Sequence, residues 1–231
     1  ADVVHICDQA NAVYIPWLSG RPHLVTCHDM LANRSALGAV SANPTRVTGR
    51  VYQRWILAGL RKAQRIVCVS RQTRDELIDV GRVSSARVNA VANALNYPYQ
   101  PMAAEEFRQR IARLGLINVF PFFVHVGGNQ WCKNRAGVVQ IFTQLSRYPN
   151  FVEHHLVMVG KSWTKEAREI VASTGLTGRI HECVDVSNED LRALYSGAVG
   201  LIFPLTQEGS VGRSLRRRRA AARCSRQTVP R

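Results

Sequence analysis

Short apolar runs alternate along the chain with longer stretches whose apolar residues recur at helical spacing. The runs are Val3–Cys7, Leu24–Cys27, Ile66–Val69, Val88–Ala92, Phe122–Val126, Leu156–Val159 and Val199–Phe203. They are almost continuously apolar, as strands covered on both faces require. Between them lie Arg50–Lys62, Arg71–Val80, Ala103–Leu114, Arg135–Leu145, Lys165–Ser173 and Glu189–Tyr195, where positions such as Ile56, Leu57 and Leu60 share one helix face. Strands alternating with helices predict an α/β fold of parallel sheets. Ser70 is placed to cap one helix and Ser187, followed by Glu189 and Asp190, to cap another. Asn93 to Pro101 breaks the rhythm with Asn96, Pro98 and Pro101, and reads as a domain boundary or hinge.

Composition narrows the class. The chain has 231 residues, 46% of them hydrophobic, which is a globular composition rather than a disordered one. No apolar run approaches the roughly 20 residues that span a bilayer, and the opening Ala-Asp-Val-Val-His does not read as a secretory leader. These features argue against an integral membrane protein and a secreted mini-scaffold. Cys7, Cys27, Cys68, Cys132, Cys183 and Cys224 form no C-x-x-C pair and join no histidine cluster at zinc spacing. Reduced thiols in a cytoplasmic protein, with no metal site, are expected.

The charge is uneven. Lys and Arg total 31 against 16 Asp and Glu, for a formal net charge of +15. From Ser210 onward there are eight Arg and no acid, so about half of the excess lies in the last tenth of the chain. The remaining body is mildly basic.

Three strand ends carry candidate chemistry. Phe122–Val126 runs into Gly127-Gly128-Asn129, then Gln130-Trp131-Cys132-Lys133-Asn134 and a helix. A strand, a glycine turn and a helix N-terminus can hold an anion, and Lys133 can supply a point charge to a phosphate. An ordinary tight turn with a solvated lysine fits the same residues, since this is neither G-x-G-x-x-G nor a Walker loop. His28, at the end of Leu24–Cys27, is either a donor to a sugar hydroxyl or phosphate or a histidine bonded to the neighbouring loop. Arg71 and Arg74 either line the same cleft or face solvent. Glu208, beyond Val199–Phe203, either accepts from sugar hydroxyls or is a surface carboxylate.

Taken in order, these segments resemble the GT-B glycosyltransferases of the group 1 type, family 4, which are retaining enzymes using nucleotide-diphosphate sugars. The resemblance rests on Leu24–Asp29, Ile66–Leu77, Phe123–Asn134, Leu156–Lys161, the Gly175–Ile180 stretch and Val186–Gly209. It implies two Rossmann-like domains, both incomplete here, with the donor in the cleft between them. Residues 1–96 would be the rear of the N-terminal acceptor domain, 97–118 a linker and connecting helix, 119–209 the front of the C-terminal donor domain, and 210–231 the Arg-rich tail. By resemblance His28 lies near the donor sugar, Lys133 neutralises the diphosphate, and Glu208 is the first of the family's paired glutamates, facing the transferred sugar. Gly127, Gly128, Asn129 and Asn134 complete the donor-binding loop. The nucleotide sugar is a substrate and no cofactor is implied. The parent would pass a hexose, mannose or a relative, to a cell-surface polysaccharide or lipid-linked glycan, from the cytoplasm or peripherally at the inner membrane face. No specific nucleic-acid partner is expected, although an Arg-rich arm that binds anions or nucleic acid non-specifically is the alternative function.

The chain departs from the family in three places. It begins inside the first domain, without the family's early glycine-rich loop. An arginine common near the Gly127-Gly128 turn has no clear counterpart. The second glutamate, eight positions after Glu208, falls at Arg216, which cannot accept hydrogen bonds from a ribose. Permitted codons from Gly209 onward, read from the third base of that codon, give Phe-Gly-Trp-Pro-Val-Ala-Glu-Ala, the family continuation including the missing glutamate. The tail is therefore expected to be out-of-frame translation after loss of one nucleotide near the Gly209 codon, and the chain to be inactive.

Overall fold

The structure is a computed structural model that describes residues 2–204 apart from 19, 41 and 42. Two compact units divide between Ala94 and Leu95. The first holds β1 (Val4–Ile6), β2 (His23–Cys27), α1 (Leu31–Ala36), α2 (Val47–Lys62), β3 (Arg65–Cys68), α3 (Arg71–Asp79) and β4 (Val88–Ala90), with a 3-10 helix over Gln9–Leu18. Its four strands are parallel in the order β1-β2-β3-β4. The second holds α4 (Ala104–Arg113), β5 (Phe122–Val126), α5 (Arg135–Leu145), β6 (His155–Gly160), α6 (Lys165–Ser173), β7 (Ile180–Val184), α7 (Asn188–Gly197) and β8 (Gly200–Leu201). Its parallel sheet runs β7-β6-β5-β8. Two Rossmann-like α/β parts are thus present, as the resemblance implies, and each sheet is parallel, as the alternation of runs predicts.

The apolar runs form strands because both faces are covered. Along β6, Leu156 and Met158 join Val138, Phe142 and Ile180 in one core, while Val157 and Val159 join Phe122, Leu194 and Tyr195 in the other. This is the two-residue period of a strand read out on both sides. In the first unit Val25, Cys27, Ile66 and Cys68 pack with Ile56, Leu57 and Leu60 of α2. There α2 meets the Gln9–Leu18 helix so closely that a Cβ on Gly59 would overlap the Ala12 carbonyl oxygen. The expected caps form: the Ser70 hydroxyl accepts from the Thr73 N–H at 3.0 Å and Ser187 from the Asp190 N–H at 3.1 Å.

Residues 97–118 pack inside the second unit. Tyr99, Ile111 and Leu116 are buried in its core, and the Tyr99 and Tyr195 rings meet edge to face. Arg110 of α4 pairs with Asp190 of α7 at 3.0 Å, and Arg192 donates to the Gln100 carbonyl at 2.8 Å. Burial pushes the Asp190 carboxyl up, but bonds from Ser187 and Arg110 outweigh it and hold the group below the usual carboxylate range. No helix among the described residues is long and apolar enough to cross a membrane.

Candidate functional site

The carboxyl edge of the second sheet carries the glycine loop. His125, in the last turn of pleat before it, is fully buried, and its Nδ1 donates to the Ile202 carbonyl at 3.0 Å. Its ring stacks on Phe203. A Cβ on Gly127 would lie 2.6 Å from His125 Nε2 and 3.2 Å from Lys133 Cβ, so glycine here is a packing requirement. At Gly128 the same Cβ would meet only the movable amide of Gln130. The Gly127 N–H donates to the Val159 carbonyl at 2.8 Å, and a Cβ on Gly160 would overlap the Gly127 carbonyl oxygen. The ends of β5 and β6 are thus in backbone contact, leaving the loop bare of side chains at its base.

From that base the chain makes a single 3-10 turn over Trp131–Lys133 and enters α5. Asn134 takes the left-handed conformation (φ 45°, ψ 51°), and its side chain accepts from the Gly137 N–H at 3.1 Å. That cap takes up the Gly137 N–H, and the positive end of the α5 dipole lies at the loop. Lys133 sits with Nζ 6.0 Å from the centre of the Phe203 ring. Gly127, Gly128, Asn129, Lys133 and Asn134 are therefore gathered in one loop of one unit.

Asn129 has a second task. Its Nδ2 donates to the Ser162 carbonyl at 2.8 Å, and its Oδ1 accepts from Arg135. Arg135 also donates to the Lys161 carbonyl at 2.7 Å. Asn129 and Arg135 together tie the loop after β5 to the loop after β6. Arg135 is buried, with 7% of its surface exposed, and makes no ion pair among the described residues. Its Nε and Nη2 lack a partner there, and burial pulls its guanidinium below the usual arginine range, against the opposing pull of Glu182. Beside it a cavity of about 250 Å³ opens between α5 and α6, bounded by Asn129, Trp131, Met158, Trp163 and Ile170.

His28 lies in the first unit, just past β2. Its Nε2 donates to the Cys7 carbonyl at 2.8 Å and its N–H to the Gln9 side chain at 2.9 Å. The ring is oriented by the loop after β1, as the plainer of its two sequence readings describes. Arg71 and Arg74 line a hollow of about 370 Å³ with Asp75 and Asn89, where Arg74 pairs with Asp75 at 2.9 Å. Glu208 and the Arg-rich tail lie outside the described residues. No group of three metal-ligating side chains occurs among those described.

Residues 1–97 match the Glycosyltransferase Family 4 model. The match spans the first unit. No curated protein matches the chain at a significant level. Among solved structures, the chain is similar to Anabaena HepE in complex with UDP and glucose, at 14% identity and a TM-score of 0.72 over 92% of this chain and 55% of that one. It is also similar to sucrose-phosphate synthase from Thermosynechococcus elongatus, at 18% identity and a TM-score of 0.71 over 94% of this chain and 53% of that one. WaaG, a glycosyltransferase involved in lipopolysaccharide biosynthesis, aligns at 12% identity and a TM-score of 0.70, with 90% of this chain and 59% of that one covered. The chain spans a little over half the length of these structures, and at such identities they share its fold.

Sequence reasoning missed Arg135 and His125 as parts of this loop. The signal for His125 is a single histidine inside the apolar run Phe122–Val126, which must find a buried partner. Arg135 follows the cap residue directly and reads from sequence as an exposed first-turn cation.

Proposed function

We propose that this chain is part of a retaining glycosyltransferase that takes a hexose, mannose or a close relative, from a nucleotide-diphosphate sugar. The acceptor would be a cell-surface polysaccharide or lipid-linked glycan. One observation carries the reading: the loop Gly127–Asn134 offers a side-chain-free base, a lysine and a capped helix N-terminus at a sheet edge, in a fold shared with proteins solved with UDP and UDP-glucose. The helix end and Lys133 would stabilise the departing nucleotide diphosphate as positive charge develops on the sugar. The family resemblance assigns His28 to the donor sugar and Glu208 to accepting from its hydroxyls. The family match over residues 1–97 supports the transferase class.

In this reading the residues from 210 onward are out of frame, Arg216 stands where the second ribose-binding carboxylate belongs, and the chain as written turns over no donor. Calorimetric titration with UDP- and GDP-sugars tests the site. Binding that Lys133→Ala weakens about tenfold or more supports it, and a chain that binds no nucleoside diphosphate refutes it. Resequencing the Gly209 codon tests the frame independently, and an intact frame as written ends that part of the reading.

A further inference from the structure

We propose that the cavity between α5 and α6 binds a small monocarboxylate with a ring or branched aliphatic body. The inference does not rest on the transferase reading. Two residues on the cavity's lining, Arg135 and Trp163, carry buried donors that no described residue pairs. Arg135 spends both N–H bonds of Nη1 on Asn129 and the Lys161 carbonyl. Its Nε and Nη2 remain unbonded, on a residue that is 7% exposed. The indole Nε1 of Trp163 is likewise buried and unbonded. Buried donors left unpaired are unfavourable, a buried cation more so, and a ligand that pairs them gains accordingly.

The unbonded atoms and the walls together identify the ligand. Nε and Nη2 share one edge of a planar guanidinium, whose parallel N–H bonds match the two oxygens of a carboxylate. A single cation fits a monoanion better than a diphosphate. The acid that acts on Arg135, Glu182, is engaged elsewhere: it accepts from the Trp163 backbone N–H and lies 3.9 Å from Arg168. Glu166, also on the lining, is exposed. Much of the remaining wall is apolar, with Val139, Met158 and Val171 buried. An apolar cavity of about 150 Å³ already takes benzene, so the volume of about 250 Å³ here has room for a ring and its carboxylate. A bare inorganic anion would pair the guanidinium but leave those walls uncovered.

The test uses the full chain, with sodium benzoate as the probe and benzyl alcohol and inorganic phosphate as comparisons, at constant ionic strength. Binding is read by calorimetric titration and by tryptophan fluorescence, since Trp131 and Trp163 both line the cavity. Benzoate is expected to bind saturably and to raise the melting temperature. Benzyl alcohol, which keeps the ring and lacks the charge, should bind about tenfold or more weakly, and phosphate should not displace benzoate. Arg135→Met should bring benzoate down to the affinity of benzyl alcohol, whereas Lys133→Ala should leave benzoate binding unchanged. Ala167→Leu on the half-buried lining fills the cavity without touching the guanidinium and should abolish binding of both, so the proposal stays testable even if Arg135→Met does not fold. Absence of saturable benzoate binding overturns the proposal. So do equal affinities for benzoate and benzyl alcohol, or benzoate binding that Lys133→Ala removes, which would put the anion in the glycine loop instead.

Discussion

The two glycines of the loop make unequal demands, and substituting each by alanine tests how the loop is held. In Gly127→Ala the new methyl would lie 2.6 Å from His125 Nε2, 3.1 Å from Cε1 and 3.2 Å from Lys133 Cβ. The ring has no easy retreat: it is fully buried, bonded to the Ile202 carbonyl and stacked on Phe203. Overpacking of this kind costs about 1–3 kcal/mol. The stiffer unfolded chain of an alanine returns at most about 1 kcal/mol. A net loss of about 1–2 kcal/mol is expected, which moves a urea midpoint down by about 0.5–1 M at an m-value of about 2 kcal/mol/M. In Gly128→Ala the methyl meets only the Gln130 amide, which can swing away. That variant should stay within about 0.5 kcal/mol of the unmodified chain. A double-mutant cycle assigns the cause. His125→Ala is destabilising by itself, because it opens a cavity and leaves the Ile202 carbonyl unbonded, but adding Gly127→Ala to it should cost almost nothing further. Equal losses for the two glycine variants, or an undiminished Gly127→Ala penalty without the His125 ring, would refute the packing argument.

Three further outcomes are expected. His155 and His181 share a 2.9 Å hydrogen bond, and burial first, then Arg179 near His154 and His155, holds all three histidines below the ordinary value, Glu153 opposing this only at His155; the unfolded chain therefore takes protons first, and the urea midpoint should be flat above about pH 6.5 and fall below it, with His181→Asn shallower and a flat profile to pH 5 refuting the assignment. Replacing Arg135 by Met removes the bonds to Asn129 and Lys161 but relieves a buried cation, so stability should change by less than about 2 kcal/mol while proteolysis within the Asn129–Asn134 loop accelerates, and an unchanged cleavage pattern would show the loop is held otherwise. Cys7 is exposed whereas Cys27, Cys68, Cys132 and Cys183 are buried, and burial pushes the Cys183 thiol up to about 11; in the native chain maleimide should label Cys7 well before these four, as peptide mapping would show.

The strands were legible in the sequence where burial on both faces left them almost purely apolar, as in Phe122–Val126 and Leu156–Val159. β7 escaped the same reading because it is an edge strand: Ile180-His-Glu-Cys-Val buries only Ile180 in one core and Cys183 in the other, with His181 and Glu182 half exposed between them. The helix over Gln9–Leu18 was equally hidden, since Pro16 lies inside it and its apolar residues follow no 3.6-residue period. The caps at Ser70 and Ser187 were readable because their bonds are local, closing over three residues.

The glycine loop shows where such local reading stops. That Gly127 precedes a helix cap is visible in the sequence, and so is the lysine six positions on. What makes Gly127 obligatory is the His125 ring, fixed by a carbonyl 77 positions later, and what makes Gly160 obligatory is the carbonyl of Gly127 itself. Asn129 likewise reads as a ligand-facing amide, yet its side chain bridges Ser162 and Arg135, on two different elements. Side chains spent in this way hold the loop's shape, so its capacity for an anion falls to backbone N–H groups, the α5 dipole and Lys133. Charge on the loop is therefore supplied by few groups, and removing Lys133 should weaken anion binding far more than altering Asn129, whose loss would act through geometry.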